Sequence, residues 1–108
     1  MTRRVELLPR AKHQLYAAAR WWAEHRSVEQ AARWLTGMEL AITSLGADAE
    51  RFPLAAEATV VGVPIREVHF GISGRPTHRV VFEVEDDRVL IYAIRHLAQR
   101  DLTAEDIL

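Results

Sequence analysis

The chain has no cysteine among its 108 residues, and this absence removes two classes of architecture at once. Neither a disulfide framework nor a thiolate metal site can be built. A cysteine-free chain suits a reducing cytoplasm, which is where it is expected to act. No run of about 18 apolar residues occurs, so no membrane-spanning helix is expected. The opening MTRRVELLPR carries charge where a secretory signal needs an apolar stretch, so none is expected there. Lysine is almost missing: Lys12 stands alone against thirteen Arg. The formal charge is −1 and the isoelectric point is near 6.5. That balance excludes a basic coat able to grip nucleic acid by neutralising phosphates, though a local Arg patch stays open. There is no internal repeat, low-complexity segment or linker, and the length fits a single domain, residues 1–108, with one core. No phosphate-loop glycine pattern or nucleophile elbow is found, and the pairs His13/His25 and His69/His78 lack metal-ligand spacing. No metal and no cofactor are expected.

What is present is strong periodicity. Thr2 to Leu8 alternates as a strand, with Val5 and Leu7 on one face. Pro9 opens a helix at a position where its missing N–H costs nothing. Ala11, Leu15, Ala18/Ala19 and Trp22 then repeat at the helical period to about His25, with Lys12, His13, Arg20 and Glu24 outside. Ser27 and Gln30 have the capping-box spacing. A second helix follows through Ala31, Trp34/Leu35, Met38, Ala41/Ile42 and Leu45, ending between Gly46 and Asp48. So short a connection makes an antiparallel helical hairpin. Trp21, Trp22 and Trp34 fall on its apolar stripes and are expected in the core, with a partner groove as the alternative. Residues 55–63 are ambiguous, with Thr59–Val61 a candidate edge strand. Ile65–Phe70, His78–Glu85 and Val89–His96 read as three successive antiparallel strands. The last is apolar almost throughout, as expected of a strand buried on both faces or central in its sheet. One helical turn is expected from Thr103, with Asp106 at capping distance. The order β-α-α-β-β-β predicts an α+β fold, a helical hairpin packed against an antiparallel sheet.

The segments PRAKHQL, IREVHFG, HRVVFEVEDDRVLIYAI and RHLAQRD, in this element order, resemble the RelE/ParE superfamily of bacterial toxins over nearly the whole chain. The resemblance implies a toxin of a type II toxin–antitoxin pair, held by its cognate antitoxin in a hetero-oligomer. RelE-like members cleave mRNA on the ribosome, whereas ParE-like members poison DNA gyrase. RelE-like enzymes carry a Lys-rich strand and a Tyr near the C-terminus. Here the only Lys is Lys12 and the last Tyr is Tyr92, inside a strand. Those departures, with the acidic balance, place the chain closer to the ParE branch.

A ribonuclease of this kind would need a general base, fixed cations and an acid within hydrogen-bond reach. Arg79 matches the family's Arg in the central strand, Arg66 sits on the neighbouring strand, and His96 matches the family's His at the end of the last strand. These three are the catalytic candidates if the chain is a nuclease. The alternatives are an Arg79 paired with Glu67 or Glu83, and a His96 that merely caps the strand end. Arg95, Arg100, His69 and His78 could add charge or join the cluster, but each also reads as an ordinary sheet or surface residue. For the antitoxin, exposed apolar side chains around Tyr16, Trp21 and Leu40 are the expected landing surface, with a helix laid along the hairpin and an extended segment at the sheet edge.

Overall fold

The computed structural model describes residues 2–107. Strand β1 (Arg4–Leu7) leads directly into helix α1 (Pro9–His25), with Pro9 in the first turn as the sequence predicts. Helix α2 (Val28–Asp48) is capped by Ser27, whose Oγ accepts the N–H of Gln30 at 3.0 Å. That bond satisfies one of the donors every helix start leaves unpaired. A short 3-10 turn, Ala49–Arg51, ends the hairpin. Strands β2 (Arg66–Phe70), β3 (His78–Val84) and β4 (Arg88–His96) follow as a meander.

The four-stranded sheet has the order β1-β4-β3-β2. β2 pairs with β3 and β3 with β4 antiparallel, but β1 lies parallel to β4, so the expected antiparallel sheet gains one parallel edge and is mixed. β4 therefore has a neighbour on each side, as its apolar sequence requires. The register of β3 against β4 slips between Val81 and Phe82, where Tyr92 is the extra residue on β4. Such a bulge lets an inserted residue keep the alternation correct on both sides of it.

Both faces of the sheet are covered. On one, Val80, Phe82, Val89, Ile91 and Ile94 pack against Ala11, Leu15, Trp34, Met38, Ile42 and Leu45 of the hairpin. Each large side chain fully buried here contributes about 1.5–3 kcal/mol through its removal from water. On the other, Val81 and Ala93 meet Ala55, Val61, Ile65, Leu102 and Ile107. This second layer is built from the connection after the hairpin and from the tail. The tail ends in α4 (Ala104–Ile107), and Asp106 accepts the N–H of Thr103 at 2.8 Å, the expected capping bond.

One expectation fails. Thr59–Val61 is not an edge strand but part of a helical turn, α3 (Ala58–Val61), stopped by Gly62 at φ 74°. The edge of β2 is already occupied by Leu54, which bridges Arg66, while Ala55 donates its N–H to the carbonyl of Ile65 at 2.9 Å. With that slot taken, Val61 finds burial by turning under the sheet instead.

The hairpin sits close to β1 because Gly46 has no side chain. A Cβ there would lie 2.6 Å from the carbonyl oxygen of Arg3, and backbone cannot yield as a flexible side chain can. Gly46→Ala is expected to destabilise the fold by about 1–3 kcal/mol, seen as a lower urea midpoint at unchanged slope. An unchanged midpoint would show that α2 can move away from β1 without cost.

Candidate functional site

Alternation along β3 sends His78, Val80 and Phe82 towards the helices and Arg79 and Val81 towards the second layer. Arg79 is buried there against Glu57. Its Nη1 donates to Glu57 Oε1 at 3.0 Å and to Glu67 Oε2 at 2.6 Å, and its Nη2 donates to Glu57 Oε2. Glu57 is also buried, and its Oε2 accepts the N–H of Leu102 at 3.0 Å. Arg79's hydrogen bonds hold the Glu57 carboxyl down to about 2 against the opposing effect of burial, with Leu102's N–H helping. Arg79 is held charged more firmly than usual for the same reason. Three of the five N–H donors of this guanidinium are thus engaged, and its charge is paired with two carboxylates that tie β3 to β2, to the loop before α3 and, through Glu57, to the tail.

Of the partners expected for Arg79, Glu67 is present and Glu83 is not. Glu83 instead accepts the Tyr92 hydroxyl at 2.7 Å. Burial, together with that bond, pushes the phenol up to about 12. Sequence pattern alone does not single out Glu57 as a partner of Arg79. Its one signal is a lone acid inside the apolar run PLAAEATVVGV, where a buried carboxylate must find a cation.

Arg66 is half-buried and donates to the carbonyl of Phe52 at 2.6 Å, closing the chain after the hairpin. It lies opposite Phe82, whereas His78 and His96 pair at the other end of β3. His96 is exposed, and its Nδ1 accepts the N–H of Ala98 at 3.0 Å. The nuclease constellation drawn from sequence is thus not assembled. Arg79 is under the second layer, His96 lies beside His78 next to the helical core, and Arg66 is at the far end of the strands. The neighbouring candidates also have structural partners. Arg95 is buried and donates to the carbonyl of Arg100 at 2.7 Å, while Arg100 pairs with Asp106 at 2.8 Å, so both pin the tail. His69 bonds Glu67 at 2.7 Å.

His78 is buried, with its ring 4.9 Å from that of Trp34 and 5.1 Å from that of His96. Burial, then the neighbouring His96, lowers its pKa to about 4. Its Nδ1 is 2.8 Å from the hydroxyl of Thr77. The ring is a neutral wedge between sheet and hairpin.

The expected landing residues stand on the outside of the hairpin. Tyr16, Trp21 and Leu40 are 49%, 46% and 67% exposed. Trp34 is buried as expected and Trp22 half-buried, but Trp21 is not in the core. Its ring stacks on His25 at 4.7 Å and meets Trp22 edge-on at 5.7 Å. Each of the three borders a different cleft: about 390 Å³ at Tyr16, about 580 Å³ at Trp21 and about 510 Å³ at Leu40. Among the described residues no helix is long and apolar enough to cross a membrane.

Comparison with known proteins adds three findings. The family model described as the ParE toxin of type II toxin-antitoxin system, parDE, matches residues 5–101. A chain from a solved structure titled "Chromosomal ParDE TA system from P. aeruginosa" has the same fold, with a TM-score of 0.70 at 16% sequence identity. The alignment covers 88% of this chain and 96% of that one. A search of curated proteins returns no match.

Two outcomes follow from the buried groups. Arg79→Ala leaves Glu57 buried without its cation and is expected to cost about 3–5 kcal/mol in denaturant unfolding; a cost below about 1 kcal/mol would mean the pair is not buried. His78 takes up a proton more readily unfolded, near 6.5, than folded, near 4. The stability it contributes is complete above pH 6.5 and is lost as pH falls towards 4. Urea midpoints should drop across that window, and His78→Gln should flatten the drop. An equal drop in both proteins would contradict the assignment.

Proposed function

The chain belongs to the family of ParE toxins of type II toxin–antitoxin systems, and from that footing we propose that it arrests growth by acting on DNA gyrase in the cytoplasm and is neutralised by a cognate antitoxin. The observation that supports a gyrase target over mRNA cleavage is the engagement of Arg79. A nuclease needs a cation free to meet a phosphate in its crowded transition state. Arg79 already spends three of its five N–H donors on Glu57 and Glu67 and has its charge met by both carboxylates, and neither Arg66 nor His96 lies beside it. A toxin that works by gripping a protein target needs no such centre.

The partnership with an antitoxin draws on the family and on the ParDE title of the structural match. The hairpin offers apolar anchors at Tyr16, Trp21 and Leu40. An amphipathic helix laid along it would bury them. The outer edge of β2 past Glu67, beyond the stretch that Pro53–Ala55 occupies, offers a second contact. Glu67 turns its N–H outward to the carbonyl of Pro53 at 3.1 Å, so the backbone of His69, two residues on, faces the same open side. An extended segment could add there as a strand.

Expression of the chain alone in a bacterium is expected to stop growth and induce the DNA-damage response. The purified protein should inhibit gyrase supercoiling and leave ribosome-bound mRNA intact. Cleavage of that mRNA with no effect on gyrase would replace this reading with a RelE-like nuclease. Growth without arrest would leave only a degenerate antitoxin-binding module. Tyr16→Glu, Trp21→Glu and Leu40→Glu should each weaken antitoxin binding roughly tenfold or more, and binding unaffected by all three would remove the hairpin as its landing surface.

A further inference from the structure

Beside Trp21, three side chains are each tied to a backbone N–H, and the tie decides what they show to solvent. Gln14 Oε1 accepts the N–H of Ile94 at 2.8 Å, on the side of β4 that β1 is too short to cover. Gln99 Oε1 accepts the N–H of His96 at 2.7 Å. His96 Nδ1 accepts the N–H of Ala98 at 3.0 Å. A backbone N–H can only donate. The atoms facing it must therefore be the amide oxygens and, in the neutral imidazole, the bare nitrogen. Each residue is left with a donor pointing elsewhere: two NH₂ groups and one Nε2–H, none with an acceptor among the described residues.

All three border the cleft of about 580 Å³ together with Trp21, Trp22 and Arg26. Arg26 forms no ion pair among the described residues, and its guanidinium lies 6.0 Å from the Trp21 ring centre. No Asp or Glu borders the cleft. The wall is thus rich in donors, contains one cation, and has flat apolar rings beside them. Unmet donors of this kind are complementary to an anion. A single guanidinium with neutral donors suits one negative charge, a carboxylate, better than the double charge of a phosphate monoester.

We propose that this cleft receives an acidic side chain of the antitoxin, an Asp or Glu next to a bulky apolar residue. The carboxylate would sit among Arg26, His96 and the two Gln amides, and the apolar neighbour against Trp21 and Trp22. The antitoxin is named as occupant because Trp21 is shared with the hairpin surface already assigned to it and because the charge is complementary. The assignment of the partner rests on the toxin–antitoxin reading; the carboxylate preference does not.

The test uses the full chain and three probes: the peptide acetyl-Leu-Glu-Phe-Glu-Leu-amide, its counterpart with Gln for both Glu, and phenylacetate. Binding is followed by tryptophan fluorescence and by the side-chain amide signals of Gln14 and Gln99 in NMR spectra. The acidic peptide should move both amide signals and bind about tenfold or more tighter than its Gln counterpart. Gln14→Glu and Gln99→Glu keep the oxygen that holds the backbone N–H and replace only the donor, and Arg26→Gln removes the cation. Each should weaken the acidic peptide by about tenfold with the melting temperature unchanged. Equal binding of the two peptides, wild-type affinity in all three variants, or no amide shift at millimolar peptide would overturn the proposal. Phenylacetate binding as tightly as the peptide would reassign the cleft to a free small carboxylate and overturn the antitoxin assignment. Peptide binding without growth arrest would sink the toxin reading while leaving the carboxylate site standing; arrest without peptide binding would do the reverse.

Discussion

A strand with apolar side chains on both faces has to be covered twice, and β4 imposes that condition on the whole molecule. Val89, Ile91 and Ile94 on one face and Ala93 on the other are all buried. The hairpin can satisfy only the first set. The second draws in Ala55, Val61 and Ile65 from the connection after the hairpin and Leu102 and Ile107 from the tail. The parallel edge made by β1 belongs to the same requirement, since β4 would otherwise lie at the rim with its ladder groups open to solvent. Where β1 runs out, Gln14 takes over with a side-chain oxygen.

Covering the second face creates an electrostatic problem that Glu57 resolves. Arg79 and Arg95 are opposite each other in the ladder and both are buried. Two guanidiniums in a low-dielectric layer would repel strongly without compensation. Glu57 and Glu67 meet the first, and the carbonyl of Arg100 meets part of the second. The ion pair also fastens the tail, because the same Glu57 oxygen accepts the N–H of Leu102. A residue that looks catalytic in the sequence is therefore held in place by the fold's own closure. Its engagement is structural, and the chain around it belongs to the ParE toxin family.

The surface that remains for partners is divided between apolar and donor-rich regions. Tyr16 presents its ring beside Lys12, His13 and Arg20, and Leu40 its aliphatic side chain beside Arg33, whereas Trp21 stands at the rim of a cleft whose polar atoms have been sorted by the backbone they cap. Capping a free backbone N–H, as Gln14, Gln99 and His96 do, consumes a side-chain acceptor and leaves a donor. The polarity of the cleft is thus a by-product of how the end of β4 is satisfied.

Much was readable from residues alone. The hairpin with its Ser27 cap, the three later strands, the turn at Thr103 and the centrality of β4 all follow from local patterns: a 3.6 period, a two-residue alternation, and capping residues at fixed spacing. The family resemblance rested on that same order of elements. The tertiary structure alone decided that α3 is helical, that Trp21 is exposed, that Glu57 pairs with Arg79, and that Arg66, Arg79 and His96 stay apart. The physical reason is common to all four. Periodicity tells which face of an element is apolar, but not what will cover it, and a buried ion pair between distant positions depends on where the chain has room to cross. Sequence therefore determined the elements and their buried faces, while the choice between a free cation and a structural one was made only when the second layer closed over β3.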